Sequence, residues 1–178
     1  IHKNLFEIKE REGEYRHYET PELDKTFNET LSRLDAFNIT IPYKKDIMKH
    51  LTTVDKTAEL YNACNFVIRR DNKYHGYNTD VDGFLYAIKS KNAELSGKKV
   101  LVTGAGGVSH MLAATSAMEG AEVTVLARNE NKAASLCDFV YEKTGKKLKL
   151  FSGSYDFDIL LQGTPAGMYP NYFDSPFP

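Results

Sequence analysis

The sequence predicts an α/β protein made of two parts that follow one another along the chain. In the first half, short segments with strand-like and helix-like spacing are mixed. After Leu95 the pattern changes to strand, glycine turn, helix and strand, which is typical of a doubly wound parallel sheet. We place the boundary near Ala93 to Gly97, which predicts one domain over residues 1–94 and a second over residues 95–178.

The first domain is predicted to be an open sheet with helices. Residues 14–20 and 37–41 alternate polar and apolar side chains like strands, whereas residues 23–35 and Lys45–Leu51 have helical spacing. The segment after Asn62 has the composition of a hairpin. Its parts are a strand, a turn at Asp71 and Asn72, a second strand that ends at Gly76 to Asn78, and a helix from about Val81 to Ser90.

The second domain repeats strands and helices. A buried type of strand is predicted in KKVLVTG, a second in EVTVLAR and a third in FDILLQGTP. Between them we expect a helix from Val108 to Glu119, which Gly120 ends, and a helix from Lys132 to Lys143, which ends near Gly145.

Composition and charge narrow the class of function. The 178 residues are 42% hydrophobic and 26% charged, as in a globular protein with a real core. Because 23 basic residues nearly balance 24 acidic ones, no overall field favours nucleic acid or an anionic membrane, and a small-molecule partner is expected. The two cysteines, Cys64 and Cys137, have no metal-ligand spacing, so we expect no metal and a reducing, cytoplasmic location. No apolar run approaches the length of a membrane span.

A glycine turn indicates a dinucleotide site. Gly104, Gly106 and Gly107 lie in VTGAGGVSHM, directly after a predicted strand and before a predicted helix. Glycines let the backbone approach a pyrophosphate, and the free amides at the helix start favour the anion. Ser109 occupies the third motif position in place of glycine. This context predicts a Rossmann-type cofactor domain, with a plain strand-to-helix turn as the alternative.

The end of the next strand indicates which dinucleotide binds. An acidic residue there would bind the ribose 2′-hydroxyl, whereas a cation would bind a 2′-phosphate. The residue is Arg128, and Lys132 follows one helical turn later, so the sequence favours NADP over NAD. Glu130 argues mildly for NAD, and both cations could instead be exposed loop residues.

The first domain contains a lysine where a strand ends. In FNITIP, Phe37, Ile39 and Ile41 are predicted to share one face, and Pro42 ends the strand. Thr40 and Lys44 then lie at the carboxyl edge of a sheet, where open α/β folds bind ligands. The Lys44 ammonium could donate a proton to a carbonyl oxygen that is being reduced. The alternative is that Lys44 belongs to a solvated helix face.

A carboxylate at the start of a helix is the second candidate. In YNTDVDGF, Thr79 and Asp82 match a capping box, and Asp80 lies in the first helical turn. Capping alone would explain these residues. A carboxylate beside Lys44 would also orient the amine and bind a substrate hydroxyl, although periodicity does not show that the two segments meet.

Six motifs on this one chain together resemble the shikimate dehydrogenase family. They occur in the family's order and at similar spacings, and they cover nearly the whole chain: FNITIPYK, ACN, GYNTDVDGF, VTGAGGVS, ARNENKA and GTPAGMYP. Members of that family reduce 3-dehydroshikimate to shikimate with NADPH in aromatic amino-acid biosynthesis. They use a substrate domain and a Rossmann-type domain that face each other across a cleft.

The resemblance implies a role for specific residues. Lys44 and Asp80 match the catalytic pair, and Thr40 and Asn65 match positions that bind substrate hydroxyls. The positions that match cofactor contacts are Gly104, Ala105, Gly106, Gly107, Val108, Arg128, Asn129, Lys132 and Thr164. The family also has a serine-rich motif before the position of Ile1 and further elements after that of Pro178, so the chain is expected to lack terminal segments.

The resulting hypothesis is an NADPH-dependent shikimate dehydrogenase, with shikimate and 3-dehydroshikimate as its small-molecule partners and a monomeric or homodimeric state. A quinate or quinate/shikimate dehydrogenase is an alternative from the same superfamily. A catalytically silent nucleotide-binding module is an alternative from a different class.

Overall fold

Two four-stranded sheets with helices form the fold of the chain in a computed structural model that describes residues 6–10, 12–170 and 172–177. The first sheet contains β1 (Ala36–Asn38), β2 (Thr53–Val54), β3 (Phe66–Arg70) and β4 (Lys73–Tyr77). The second contains β5 (Lys99–Thr103), β6 (Glu122–Leu126), β7 (Lys149–Leu150) and β8 (Ile159–Gln162). The α-helices are α1 (Leu23–Glu29), α2 (Lys56–Tyr61), α3 (Asp80–Ser90), α4 (Gly107–Met118) and α5 (Glu130–Thr144).

The first sheet has the strand order β1-β3-β4-β2. β3 is antiparallel to both of its neighbours, and β2 is parallel to β4. The β3–β4 hairpin turns at Asp71 and Asn72, which both have positive φ. The carboxyl ends of β1, β2 and β4 therefore lie at the same edge as the start of β3, so the segments that follow these strands meet there.

The second sheet is parallel throughout, with the order β7-β6-β5-β8. This confirms the α/β class with a Rossmann-type second half. The central strand β5 contributes a run of buried side chains, Val100 to Thr103, as parallel strands covered on both faces require. The glycine turn after β5 and the loop after β8 both lie at the carboxyl edge of this sheet.

Each sheet has its own hydrophobic core. Ile47, Cys64 and Val67 are fully buried in the core of the first sheet, where Phe27 packs edge-on against Phe37. The core of the second sheet includes Val100, Val102 and Leu136 together with the alanines of α4. It also includes Tyr61 from α2 and Val81 from α3, whose positions in the chain precede that sheet. The two halves of the chain therefore share apolar packing.

Four sequence-based predictions for the first half were wrong in part. Residues 14–20 are irregular rather than a strand. A groove of about 980 Å³ lies between this segment and β1, so no ladder forms there, and alternation alone does not produce a strand. The predicted 23–35 helix is interrupted at Thr30, which has φ −130° and ψ −62°, and the predicted Lys45–Leu51 helix is a 3₁₀ helix over Asp46–His50. β1 stops at Asn38, and Ile41 is 77% exposed rather than facing the core.

Across the described residues, no helix combines the length and the apolar character needed to cross a bilayer.

Candidate active site and cofactor site

Lys44 and Asp80 meet at the edge where the strands of the first sheet end. The Lys44 Nζ atom lies 2.6 Å from the Asp80 Oδ2 atom, and the two side chains are 26% and 36% exposed. Lys44 follows β1 and Asp80 begins α3 just after β4, so the sheet topology brings the two segments together. The backbone carbonyl of Lys44 also accepts a hydrogen bond of 2.7 Å from the amide of Cys64, which fixes the lysine loop against the start of β3.

Asn65 completes a polar cluster with this pair. Its Nδ2 atom donates to the Asp80 Oδ1 atom over 2.8 Å, while its Oδ1 atom accepts from the backbone amide of Thr79 over 3.0 Å. Both oxygens of the Asp80 carboxylate are therefore bound, one by a cation and one by an amide. Such a carboxylate is held in one orientation beside the ammonium group.

Thr40 lies close to this cluster. The amide of Ile39 donates to the carbonyl of Asn65 over 2.9 Å, so the strand's end runs alongside Asn65. Thr40 is exposed, and its hydroxyl forms no hydrogen bond with the residues that the structure describes. The hydroxyl is thus available to a ligand, whereas the Thr40 carbonyl accepts from the amide of Tyr43.

The start of α3 differs from the predicted capping box. Thr79 is the residue before the helix, but its side chain forms no capping hydrogen bond with the helix backbone. Its hydroxyl interacts with Asn65 instead, because a partner from another segment competes with local capping. The Asn78 Oδ1 atom accepts from the Asp80 amide over 3.1 Å, so Asn78 rather than Thr79 binds a backbone amide at the start of the helix.

Sequence reasoning missed Thr79 and Asn78 as members of the site. The available signal was their position: three consecutive polar residues follow a strand at the ligand-binding edge of a sheet. The sequence pattern makes Asp80 a catalytic candidate, but it gives Thr79 a capping role and places Asn78 at the end of a strand.

The glycine turn connects β5 to α4 in the expected geometry. Gly104 has φ +93°, and a Cβ atom there would lie 2.7 Å from the Thr164 Cγ2 atom, so the turn and the Thr164 loop require glycine at this point. Ser109 is fully buried, and its hydroxyl lies within hydrogen-bond reach of the carbonyls of Thr103 (3.3 Å) and Gly163 (3.2 Å). The third motif position therefore fits a serine because its hydroxyl finds backbone acceptors.

The start of α4 is open. A Cβ atom at Gly106 or Gly107 would have nothing within 4 Å, and Gly106, the residue before the helix, has no side chain to cap it. The start of this 12-residue helix thus has free space beside Gly106 and Gly107 and no side-chain cap, and helix starts of this kind can bind phosphate groups. Ala105 is half-buried and packs against the second core, whereas Val108 is 46% exposed beside the turn.

The residues expected at the 2′-phosphate follow β6. Arg128 and Lys132 are exposed, and neither side chain forms a hydrogen bond or an ion pair within the described part of the chain. Asn129 has a different local role, because its Oδ1 atom accepts from the Lys132 amide over 3.0 Å and caps α5. The cap fixes the turn that carries the two cations at the carboxyl edge of the second sheet.

Thr164 is held by Gln162 at the end of β8. The Gln162 Oε1 atom accepts from the Thr164 amide at 3.2 Å and from the Thr164 hydroxyl at 3.1 Å, and also from the Thr103 hydroxyl. The Gln162 Nε2 atom reaches the carbonyl of Ala166 at 3.4 Å. Gln162, which the sequence analysis did not assign to a site, thus links this loop to the central strand.

One ionisable group beside the site has a shifted pKa. Burial raises the pKa of the Cys64 thiol, which is fully buried and donates to the carbonyl of Phe66 over 3.2 Å. The thiol therefore stays protonated and packs as a small apolar side chain next to Asn65.

Comparisons with known proteins show which proteins this chain is similar to. Residues 1–67 match the family model of the shikimate dehydrogenase substrate binding domain. A curated relative from Caldanaerobacter subterraneus subsp. tengcongensis, shikimate dehydrogenase (NADP(+)), is 35% identical over 99% of this chain and 66% of its own length. A crystal structure of a shikimate dehydrogenase in complex with NADP+ has a TM-score of 0.87 at 30% identity, over 98% of this chain and 64% of the other.

A more distant solved structure is the quinate dehydrogenase of Corynebacterium glutamicum in complex with NAD, with a TM-score of 0.75 at 26% identity. It matches 88% of this chain and 59% of its own. The chain spans between half and two thirds of the length of the curated relatives it matches. By its six motifs, its fold and these similarities, the chain belongs to the shikimate dehydrogenase family.

Proposed function

We propose that this chain catalyses the reversible, NADPH-dependent reduction of 3-dehydroshikimate to shikimate, a step of chorismate and aromatic amino-acid biosynthesis. The observation that carries the proposal is the contact of 2.6 Å between the Lys44 Nζ atom and the Asp80 Oδ2 atom at a ligand-binding sheet edge. The enzymes that this chain resembles are named for that activity and for NADP+.

Lys44 is the proton donor in this proposal. When the substrate carbonyl carbon accepts a hydride, its oxygen gains an electron pair and takes a proton from the Lys44 ammonium, which regains one from solvent. In the oxidation of shikimate, the neutral amine accepts the hydroxyl proton. Asp80 keeps the amine directed at the reacting oxygen, because its Oδ2 atom holds Nζ while Asn65 holds its Oδ1 atom.

Thr40 and Asn65 are proposed to bind hydroxyl groups of the substrate ring. The free hydroxyl of Thr40 both donates and accepts hydrogen bonds, as a ring hydroxyl requires. The side-chain amide of Asn65 is already held in place by Thr79 and Asp80, so little side-chain entropy is lost when a substrate hydroxyl binds to it.

The cofactor site fits NADP(H), which when bound supplies the hydride. The open amides at Gly106 to Val108 are proposed to bind the pyrophosphate, and Arg128 and Lys132 the 2′-phosphate. Ala105, Asn129 and Thr164 shape the walls of this site. Residues 1–94 and 95–178 are proposed as substrate and cofactor domains, in a cytoplasmic monomer or homodimer.

An assay with the full-length gene product tests the function. We expect NADP+-dependent oxidation of shikimate, followed by NADPH absorbance, that is faster than oxidation of quinate and faster than the reaction with NAD+. Preference for quinate would favour the quinate dehydrogenase alternative, to which one structural neighbour points. Binding of NADP+ without turnover of either acid would contradict the proposal and favour a silent nucleotide-binding module.

A further inference from the structure

We infer that Asn78 is a positioning residue for the proposed reaction, because its buried side-chain amide ties the segment that carries Asp80 to the segment that carries Asn65. This inference rests on the proposed function. Asn78 is 4% exposed and lies between the end of β4 and the start of α3. It is too deeply buried to bind substrate itself.

The hydrogen bonds of Asn78 use both ends of its amide. The Oδ1 atom accepts from the Asp80 amide over 3.1 Å, and the Nδ2 atom donates to the carbonyl of Ala63 over 3.0 Å. Since one partner is an N–H group and the other is a carbonyl, only one orientation of the amide satisfies both. A flipped amide would set donor against donor, so the side chain has a single arrangement.

Both partners lead directly to the reacting groups. Asp80 is held at its own backbone, which fixes where its carboxylate begins. Ala63 precedes Cys64, whose amide donates to the Lys44 carbonyl, and Asn65, whose side chain binds the Asp80 carboxylate. The Asn78 side chain therefore connects two backbone segments. One begins at Asp80, and the other runs from Ala63 to Cys64, which holds the Lys44 loop, so the position of Lys44 relative to Asp80 depends on Asn78.

A second layer of hydrogen bonds holds the backbone of Asn78. Its amide donates to the Asp55 Oδ1 atom over 3.3 Å, and its carbonyl accepts from the Thr57 hydroxyl over 2.9 Å. Asp55 is itself fixed as the cap of α2, because its Oδ1 atom accepts from the Ala58 amide over 2.8 Å. Through these hydrogen bonds, Asn78 fixes the Lys44–Asp80 pair relative to α2.

The Asn78→Ala variant tests this inference, with Thr115→Val as the matched control. Thr115 is also buried, and its hydroxyl is bound to that of Tyr61 over 2.9 Å, but it lies on α4, away from the Lys44 cluster. We expect kcat for shikimate oxidation to fall about 10- to 100-fold in Asn78→Ala, since small displacements of reacting groups reduce rates by such factors. The Kd for NADP+ should stay unchanged, and Thr115→Val should keep normal kcat at a comparable loss of Tm.

A milder variant covers the case in which Asn78→Ala does not fold. Thr57→Val removes the hydroxyl that binds the Asn78 carbonyl and keeps the side-chain shape. It should lower kcat in the same pattern to a smaller degree. A wild-type kcat in the folded variants, or an equal loss of kcat in Thr115→Val, would overturn the inference.

A crystal structure of Asn78→Ala separates this inference from the proposed function. We expect the Asp80 carboxylate to move by about 1 Å or more from the Lys44 Nζ atom, a displacement large enough to affect catalysis. If the wild-type protein oxidises no shikimate, the proposed function fails, and the position of Asp80 still decides the role of Asn78. An unmoved Lys44–Asp80 pair would overturn that role.

Discussion

Lys44 and Asp80 form an ion pair that is partly exposed, at 26% and 36% of their side chains. Exposed pairs contribute only about 0–1 kcal/mol to the free energy of unfolding. Yet the carboxylate is also bound by Asn65, and the lysine loop is bound by the amide of Cys64. These contacts fix the pair although it adds little to stability, as the proposed role of Lys44 as an oriented proton donor requires.

The first prediction concerns Arg128, which is exposed at the carboxyl edge of the second sheet. The Arg128→Ala variant should bind NADP+ about tenfold more weakly, because a charge-assisted hydrogen bond to the 2′-phosphate is lost and solvent screens part of its value. Binding of NAD+ should not change. Isothermal titration calorimetry with both dinucleotides measures the difference.

Lys143 provides the control for Arg128, since it is an exposed cation at the other end of the same helix, α5. Lys143→Ala should leave both affinities unchanged. Equal weakening of NADP+ and NAD+ binding in Arg128→Ala would show that the side chain does not read the 2′-phosphate.

At the scale of elements, the glycines of the β5–α4 turn and of the loop that follows β8 have two different functions. Gly106 and Gly107 leave space at the start of the helix, whereas Gly104 and Gly163 let the turn, Ser109 and the Thr164 loop approach each other closely. Substitution of Gly106 or Gly107 should therefore affect ligand binding directly. Substitution of Gly104 or Gly163 should instead affect the stability of the fold.

The second prediction compares Gly106→Ala with Gly163→Ala. Gly106 has φ −88° and nothing within 4 Å of a Cβ atom, so alanine should leave Tm unchanged and weaken NADP+ binding by about tenfold or more, because the methyl group blocks close approach of a phosphate. In Gly163→Ala, the Cβ atom would overlap the Ser109 hydroxyl and lie 2.9 Å from the Thr103 carbonyl, which should destabilise the protein by about 1–3 kcal/mol.

Gly83→Ala is the control for these substitutions, because Gly83 lies inside α3 with open space around it. It should stabilise the protein by about 0.5–1 kcal/mol and leave NADP+ binding unchanged. Thermal unfolding and NADP+ titration measure both quantities. An NADP+ affinity of Gly106→Ala equal to that of the wild type would contradict the proposed pyrophosphate site.

The elements that the sequence predicted well are those with a strong local signal. β5 is a run of apolar residues before a glycine, and the β3–β4 hairpin has Asp71 and Asn72 at its turn, two residues that tolerate positive φ. β2 and β7 have two residues each, which is too short for any period to show. They exist because β4 and β6 offer them a ladder, and this depends on tertiary structure.

The candidate site could likewise be predicted only in part from the sequence. Lys44 and Asp80 could be chosen because each follows the end of a strand, but their contact depends on pairing between β1, β3 and β4, which no local pattern encodes. Asn78 escaped notice for a similar reason. An asparagine after a strand is a common turn residue, and its partner Ala63 is contributed by another segment.

For the molecule as a whole, the two halves of the chain are joined by buried contacts. The hydroxyls of Tyr61 on α2 and Thr115 on α4 lie 2.9 Å apart, and Val81 of α3 packs in the core of the second sheet. Burial raises the pKa of the Tyr61 phenol and of the Cys64 and Cys137 thiols. The structure therefore keeps these groups neutral at a pH where the unfolded chain ionises them.

The third prediction follows from the sign of these shifts. Because the folded pKa values are raised, the stabilising contribution is fully present below the unfolded values and is lost as pH rises towards the folded ones. The free energy of unfolding should thus fall once pH exceeds the ordinary thiol value of about 8.5, and fall further near the phenol value of about 10. Urea unfolding at a series of pH values measures this decline.

Cys64→Ala gives the comparison for the alkaline decline. The variant should be less stable at neutral pH, because it leaves a small cavity, but its stability should decline less steeply as pH rises past the thiol range. A free energy of unfolding of the wild type that stays constant between pH about 8 and about 10 would contradict the effect of burial on these groups.

The proposed role of Lys44 is tested by the single-turnover rate of 3-dehydroshikimate reduction by Lys44→Ala, measured with saturating NADPH. We expect a rate about 10²- to 10⁴-fold below that of the wild type, with unchanged NADP+ affinity, because the proposed proton donor is lost while the cofactor site is intact. Lys45→Ala, a change at the exposed neighbouring lysine, should keep the normal rate. A Lys44→Ala rate close to that of the wild type would contradict the assignment of Lys44 as the proton donor.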